Sequence, residues 1–478
     1  MTATLCGLSL GAYVHAESPQ AQPVKSAAAP PPSASKVPAL SVQQYQLENG
    51  LTVMLSEDHR VPTVAVEIVY LVGSGYERAG RTGFAHLFEH LMFQGSLHYD
   101  QDYFTPFEPI GGDVNGTTSY DRTNYFEEVP SNYAELPLWL ESDRLRTLPE
   151  ALTQQKLDNQ RDVVRNERRQ RYEITPYGMD HWYLGETMYP VGHPYRHTPI
   201  GSHEDLEHAT LEDVQAFFRT YYAPKNAGLV VVGDFDGAGM KALIDKYFGD
   251  IPGGKRAQVP ESKPAPIPQK AHYVAEDQIE LSRIYLAFHT PALFAPGDAE
   301  LDLLSSVLVD GKSSRLFHSL VYDQKLAKDV SAYQMSQRLT SMYVVEVTAA
   351  PQTTIEELGI AIERELSVAL ETQPSPAELE RAKNGYKKDF YGRVEGYASR
   401  ASLLGAYFLH TDKADYIGQD YQRYADATAA GVHATARKYL RLDQAVRIDF
   451  VPGKRGTGLK RVDAPTSAVS TSAKAGQP

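Results

Sequence analysis

Short apolar segments that predict β-strands recur along this chain, and longer segments with helical spacing follow them. Residues 63–73 (TVAVEIVYLVG) and 227–235 (AGLVVVGDF) are rich in β-branched and apolar residues, which is typical of buried strands. Residues 153–173 instead place a few apolar residues at helical spacing among many charged ones, which predicts a helix with an exposed face. The pattern therefore predicts a protein of class α+β.

The two halves of the chain begin with the same order of predicted elements. Strand-like residues 45–73 lead into a helical segment in the first half, and strand-like residues 282–292 lead into helical residues 300–311 in the second. In each half the long helices are expected to return to apolar strands, AGLVVVGDF in the first and SMYVVEVTAA in the second. We therefore predict two homologous sheet-plus-helices domains, with helices on one side of each sheet.

Segments rich in proline, alanine and glycine divide the chain. The start has a modest apolar stretch ending in Val14-His15-Ala16, which favours a signal peptide and a periplasmic or secreted protein. No Lys or Arg precedes that stretch, so an unstructured N-terminus is the alternative. The predicted divisions are a signal peptide (1–16), a Pro/Ala-rich tether (17–40), an N-terminal domain (41–250), a linker (251–272), a C-terminal domain (273–453) and a flexible tail (454–478).

Composition excludes several classes of function. The net charge of the 478 residues is −13 and no basic block occurs, so no nucleic-acid partner is expected. No apolar run reaches the roughly 18 residues that a bilayer-spanning helix needs, so no stable membrane span is expected. The single cysteine, Cys6, cannot form an intrachain disulfide, so any metal ligands are expected to be His, Asp or Glu.

Residues 83–96 (GFAHLFEHLMFQGS) place two histidines and a glutamate on one predicted helix, whose start Thr82 can cap. Residues four apart on a helix point the same way, so His86 and His90 can reach one metal ion with Glu89 beside them. A catalytic zinc site uses three protein ligands and keeps an open position for water, so two histidines are one ligand short. The alternative is an ordinary polar cluster on a surface helix.

The residues alone do not identify a third ligand. The predicted helix 153–173 carries Glu167 among arginines, and a glutamate in that setting is ordinarily a solvated salt-bridge residue. Glu167 becomes a candidate metal ligand only if its position is related to that of the H-x-x-E-H segment.

An H-x-x-E-H segment followed by a glutamate 77 positions after its second histidine resembles the inverted zincins of the pitrilysin/insulinase type, peptidase family M16. The resemblance covers residues 42–450 and includes GGDVNGTTSYDRTNYF and DGKSSRLFHSL. It is strongest with the short, two-domain members that are similar to mitochondrial processing peptidase. It implies the duplicated M16 fold, which is also called LuxS-metallopeptidase-like.

The resemblance implies roles for individual residues. His86, His90 and Glu167 would bind one Zn²⁺ per chain, and Glu89 would act as general base. A carboxylate beside a zinc-bound water can take its proton, so this chemistry agrees with the residue types. Asn115 would bind substrate on an edge strand that pairs with an extended peptide. An ordinary turn residue is the alternative interpretation of Asn115.

The chain departs from the family pattern at three positions. Gln160 stands where the family usually has a second glutamate, so its support of the ligands is expected to be weaker. Val321 and Lys328 stand where active relatives, or their partner chains, have an arginine and a tyrosine that hold substrate. We expect an M16-like partner subunit to supply that pair in a heterodimer. A slip in the alignment is the competing explanation.

Together these features predict an exported zinc endopeptidase subunit that cleaves peptides or unfolded polypeptide segments. A noncatalytic assembly subunit of the same fold, or a peptide-binding module with a structural metal, is the alternative. The complete ligand set favours the first prediction, whereas Gln160, Val321 and Lys328 favour the second.

Overall fold

The computed structural model of the protein describes residues 40–261 and 269–462. The predicted signal peptide, the tether up to residue 39 and the tail beyond residue 462 lie outside the described residues. In the described part of the chain, no helix combines the length and the apolar character that crossing a bilayer requires.

The first half of the described chain forms a six-stranded sheet and seven helices. The strands are β1 Gln43–Gln46, β2 Thr52–Glu57, β3 Thr63–Tyr70, β4 Asp113–Thr118, β5 Thr123–Pro130 and β6 Ala227–Gly233. The helices are α1 Phe84–Leu91, α2 Glu135–Ala151, α3 Gln154–Arg168, α4 Asp180–Met188, α5 His203–Glu207, α6 Leu211–Tyr221 and α7 Gly237–Phe248. The strand order is β1-β2-β6-β3-β5-β4, in which β2 and β6 are parallel and the other neighbours antiparallel.

The second half forms another six-stranded sheet and seven helices. The strands are β7 Ala271–Asp277, β8 Arg283–Thr290, β9 Ala327–Met335, β10 Ser341–Ala349, β11 Val446–Pro452 and β12 Leu459–Arg461. The helices are α8 Asp298–Val309, α9 Arg315–Phe317, α10 Ile355–Glu371, α11 Pro376–Glu395, α12 Tyr397–Thr411, α13 Ile417–Asp426 and α14 Ala429–Tyr439. The strand order is β12-β7-β11-β8-β10-β9, with β7 and β11 parallel.

Five strands of each sheet share one connectivity, and only the outer edge strand differs, since β1 begins the first half and β12 ends the second. The predicted α+β fold with two similar domains is confirmed. In both sheets the first long strand pairs in parallel with the last long one, and the helix-flanked hairpin β4–β5 or β9–β10 forms the far edge. One predicted correspondence is wrong. The strand that matches β6 is β11, and SMYVVEVTAA forms β10, which comes before the long helices of its half.

The structure refines two of the predicted divisions. Strand β7 begins at Ala271, inside the predicted linker 251–272. Strand β12 pairs with β7 and lies inside the predicted flexible tail 454–478. The start of that tail is therefore part of the second sheet, because backbone pairing orders a segment that its Gly- and Ser-rich composition does not.

Each sheet is covered on one face by helices of its own half and on the other by a helix from the opposite half. Helix α12 packs against β3 and β6, and its Leu404 and Phe408 are buried in the first core. Helix α4 packs against β8 and β11, and its Leu184 and Met188 are buried with residues of the second sheet. The prediction of helices on only one side of each sheet is therefore incomplete.

Candidate active site

Helix α1 presents both histidines and Glu89 on its polar side while its apolar side fills the first core. Leu87 and Leu91, four residues apart, are fully buried there. His86, Glu89 and His90 lie on the other side and are half-buried. Because an apolar stripe fixes the rotation of a helix about its own axis, core packing aims the three polar side chains.

A buried carboxylate holds the start of α1, in place of the predicted cap, Thr82. Gly83 is the capping residue, with φ of 88° in the left-handed region that favours glycine. Glu77 accepts hydrogen bonds from the backbone N–H groups of Gly83 (2.9 Å) and Ala85 (2.7 Å). Thr82 donates instead to the carboxylate of Asp205. Burial raises the pKa of Glu77, while these backbone hydrogen bonds act in the opposite direction.

Helix α3 brings Glu167 to the two histidines. Glu167 Oε2 lies 3.2 Å from His90 Nε2 and 3.7 Å from His86 Nε2. All three potential ligand atoms lie within 4.8 Å of one another. Ligands at about 2.0–2.1 Å from a tetrahedral zinc are separated by about 3.4 Å. Two imidazole nitrogens and a carboxylate oxygen at these separations therefore fit a zinc ion.

The protonation states of these groups suit a metal. Burial lowers the pKa of His86 to about 4, so the ring is neutral at neutral pH. Burial would raise the pKa of Glu167, but the hydrogen bond with His90 and the nearby Arg171 outweigh it and lower that pKa. Neutral imidazole and ionised carboxylate are the forms that bind a metal.

Glu89 lies beside the three potential ligands without being one of them. Burial raises the pKa of Glu89, although a hydrogen bond from Thr118 acts in the opposite direction. Thr118 Oγ1 lies 2.5 Å from Glu89 Oε2. A carboxylate whose pKa is raised is a better proton acceptor than an ordinary glutamate.

A cavity of about 640 Å³ opens over these side chains between β4 and α3. The predicted edge strand is present, since β4 pairs only with β5 and ends the sheet. Asn115 is exposed on β4, and Gln160 lies on α3, two turns before Glu167, with 6% of its surface exposed. Other residues around the cavity include Phe93, Phe104, Thr118, Arg171, Tyr172 and Ile200. The structure thus gathers all six predicted site residues at one cavity.

Comparison with known protein families agrees with this geometry. A family model described as Insulinase (Peptidase family M16) matches residues 52–178, and one described as Peptidase M16 inactive domain matches residues 208–386. The chain belongs to peptidase family M16. The segment matched by the first M16 model contains His86, Glu89, His90 and Glu167, whereas the segment matched by the second contains none of them.

Known M16 relatives match nearly the whole chain. The zinc protease PqqE of Helicobacter pylori is 29% identical over 416 residues, which are 86% of this chain and 93% of the relative. A crystal structure of a protease from Helicobacter pylori has a TM-score of 0.81 and 28% identity, covering 86% of this chain and 100% of that one. A probable mitochondrial-processing peptidase subunit beta of Arabidopsis thaliana is 22% identical, covering 89% of this chain and 81% of the relative.

The second M16 domain has the corresponding helix without the two histidines and the glutamate of α1. Helix α8 occupies the position of α1, and Gly297 caps it with φ of 104°, as Gly83 caps α1. Counting from these glycines gives the corresponding residues. The positions of His86, Glu89 and His90 are taken by Glu300, Leu303 and Leu304. Leu303 and Leu304 are buried, so the second domain uses this helix for packing.

The two substituted positions of the second M16 domain lie elsewhere. Val321 is half-buried in the π-helical turn His318–Asp323 and packs against the second core. Lys328 is exposed on β9, the edge strand of the second sheet. Neither side chain lines the cavity beside Glu89.

Sequence reasoning missed three residues that support this site. Glu77 caps α1, Thr118 donates to Glu89, and Arg171 lies 2.9 Å from Glu167 Oε1. A signal existed only for Arg171, which follows Glu167 at helical i, i+4 spacing. Thr118 is 29 positions from Glu89, and Glu77 lies in the loop before α1. The periodicity of α1 therefore reveals neither residue.

Proposed function

We propose that this chain is a zinc-dependent endopeptidase subunit that hydrolyses peptides or unfolded polypeptide segments. The observation that supports it is the convergence of His86, His90 and Glu167 with Glu89 beside them at the edge of an open strand. Zinc, when bound, would polarise the scissile carbonyl and make water acidic enough to be deprotonated. One zinc ion per chain matches the single ligand group found among the described residues.

The protein residues divide the remaining work. Glu89 takes the proton of the attacking water and later returns it to the leaving amine. The free edge of β4 pairs with an extended substrate backbone, and Asn115 contacts that substrate. The cavity of about 640 Å³ accommodates a few side chains of a peptide around the scissile bond.

A partner subunit completes the proposed enzyme. By resemblance to the family, Val321 and Lys328 stand where active relatives have an arginine and a tyrosine that hold substrate. Both residues lie away from the cavity. The name of the Arabidopsis relative describes one subunit of a larger peptidase. We propose that an M16-like partner supplies the missing pair in a heterodimer.

We also propose export to the periplasm or outside the cell, which N-terminal sequencing of the mature protein tests.

Mutation of three of the site residues tests the proposed chemistry. Glu89→Gln is expected to retain zinc and to lower kcat by at least about 100-fold, because a general base contributes that much. His90→Ala and Glu167→Ala are expected to lose both zinc and activity. The measurements are zinc content by atomic absorption and hydrolysis of a quenched fluorescent peptide library.

His208→Gln is the matched control, since His208 is an exposed histidine away from the cavity. It is expected to keep zinc and activity. Full zinc stoichiometry in Glu167→Ala would contradict the proposed ligand set.

The same assay tests the partner. Hydrolysis is measured for the chain alone and after mixing with an M16-like chain that carries the arginine and tyrosine. Activity in the mixture only supports the heterodimer, and strong activity of the chain alone contradicts it. Zinc without activity in either sample would favour the second candidate, a noncatalytic subunit, which Gln160, Val321 and Lys328 suggest.

A further inference from the structure

The hydroxyl group of Thr118 makes the hydrogen bond that reaches the proposed general base. Thr118 is the last residue of β4, and its Oγ1 lies 2.5 Å from Glu89 Oε2. The two residues are 29 positions apart and belong to a strand and a helix that contact each other. Hydrogen bonds from a hydroxyl to an ionised carboxylate are short and strong.

The hydrogen bonds of the neighbouring residues are consistent with donation of the Thr118 hydroxyl proton to Glu89. Thr123 lies opposite Thr118 in the β4–β5 register, with 3.4 Å between the two hydroxyl oxygens. The Thr123 hydroxyl donates to the backbone carbonyl of Val72 at 2.9 Å. A hydroxyl has one proton to donate, so Thr123 is committed to Val72 and Thr118 to Glu89.

The end of β4 is held so that this hydroxyl stays in place. Arg122 donates to the backbone carbonyl of Thr117 (3.3 Å) and to its hydroxyl (2.6 Å). Gly116 allows the strand to pass close to the turn that follows α1, because a Cβ there would lie 3.1 Å from the ring of Phe93. Packing and hydrogen bonding beside Thr118 therefore hold this end of the strand in place.

Holding Oε2 has a consequence for Glu89. A glutamate side chain has several rotamers, and only those that present an oxygen to the attacking water are productive. A fixed Oε2 selects one side-chain conformation and leaves Oε1 to accept the proton. Because β4 is also the proposed substrate-binding strand, one element then aligns the peptide and the base.

We propose that Thr118 is a positioning residue that orients Glu89 for general-base catalysis. This inference rests on the proposed peptidase function. Thr118 itself does not exchange protons with the substrate. Its contribution is to the geometry of Glu89, so its loss affects kcat rather than zinc binding or substrate affinity.

The test compares Thr118→Val, which removes the hydroxyl at nearly constant volume, with Thr118→Ser, which keeps it. Valine is expected to lower kcat by about 10–100-fold, with KM within about threefold and zinc at full stoichiometry. Serine is expected to restore kcat to within a few fold of the wild type. Thr52→Val, at a buried threonine on β2 of the same sheet, controls for the substitution itself and is expected to leave kcat unchanged.

Crystal structures of the zinc-loaded wild type and Thr118→Val provide a readout that needs no activity. The wild type is expected to show one Glu89 conformer with Oε2 on Thr118, and the variant several conformers or a displaced one. An unchanged kcat in the valine variant, a serine variant as slow as valine, or an unmoved Glu89 each overturns the proposal. If valine lowers the thermal midpoint strongly, Thr118→Ala is measured in its place.

Failure of the proposed function gives a different result. A wild type that holds zinc but hydrolyses no peptide, alone or with its partner, contradicts the peptidase and leaves the crystallographic comparison of Glu89 as the test of Thr118.

Discussion

Glu167 has two carboxylate oxygens, and they face different neighbours. Oε2 faces the Nε2 atoms of His86 and His90, whereas Oε1 lies 2.9 Å from the guanidinium group of Arg171. Arg171 lies four residues further on, in the π-helical turn Arg169–Glu173 that continues α3. An arginine that holds one oxygen leaves the other free for a metal and fixes the plane of the carboxylate.

Arg171→Ala is therefore expected to weaken zinc binding by about 10–100-fold, because residues that orient a metal ligand contribute roughly that much. Isothermal titration of the metal-free protein with a competing chelator measures the affinity. Arg169→Ala is the control, since Arg169 is exposed on the same turn and donates to Asn166 instead. Equal affinities in the two variants would show that Arg171 is only a surface ion pair.

Helix α12 connects the second half of the chain to the first sheet. It approaches β3 closely, since a Cβ at Gly405 would lie 3.2 Å from Glu67 Oε1. Glu67 is fully buried and accepts hydrogen bonds from Ser402 of α12 (2.6 Å) and from Asn124 of β5 (2.9 Å). A buried carboxylate satisfied from both sides ties the helix to the sheet. The first core is therefore incomplete without residues of the second half.

Leu404→Ala tests this coupling. Leu404 is completely buried on α12, so its truncation is expected to cost about 2–5 kcal/mol of unfolding free energy. Urea unfolding followed by circular dichroism measures it, and one shared transition is expected for both halves. Ile360→Ala, at an isoleucine that is 69% exposed on α10, is expected to cost at most about 0.5 kcal/mol. Two separate unfolding transitions, of which Leu404→Ala shifts only one, would contradict the coupling.

At the scale of the whole molecule, the buried His193 and the half-buried His289 lie where the first half meets the second sheet. His193 stacks on Tyr189 at 4.4 Å between ring centroids, and Tyr189 contacts His289 of β8 at 5.5 Å. Burial, and then the proximity of His289, lower the pKa of His193 to about 4. Burial also lowers the pKa of His289. Asp121 accepts a hydrogen bond from Tyr195, whose ring contacts His193.

This arrangement predicts acid sensitivity. The folded pKa of His193 lies below the unfolded value of about 6.5, so the unfolded state binds more protons between these values. Stability contributed by the neutral ring is complete above pH 6.5 and is lost as the pH falls toward 4, by roughly 1–3 kcal/mol. The unfolding free energies of the wild type and of His193→Gln are measured at pH 7 and pH 5. Acidification is expected to lower the unfolding free energy of the variant less than that of the wild type.

His208→Gln is again the control, since His208 is exposed on the surface of the first half. It is expected to lose as much stability on acidification as the wild type. An identical loss in His193→Gln would contradict the assignment to His193.

Local sequence determined the elements and part of the site. Helix α1 follows from apolar spacing, and that spacing alone places His86, Glu89 and His90 within reach of one another, because helical geometry is set within a single turn. The strand patterns likewise predicted the duplicated sheets. Glu167 was predicted to be a ligand only through the resemblance of the chain to a family, since nothing within α3 distinguishes it from a surface glutamate.

Tertiary structure decided the rest. The distance from Glu167 to the histidines, the bond from Thr118 to Glu89 and the cap that Glu77 places on α1 all depend on how separate elements pack. The packing of α12 against the first sheet and of α4 against the second depends on tertiary structure as well. Such contacts follow from the shape and burial of the whole core, and no window of neighbouring residues contains that information.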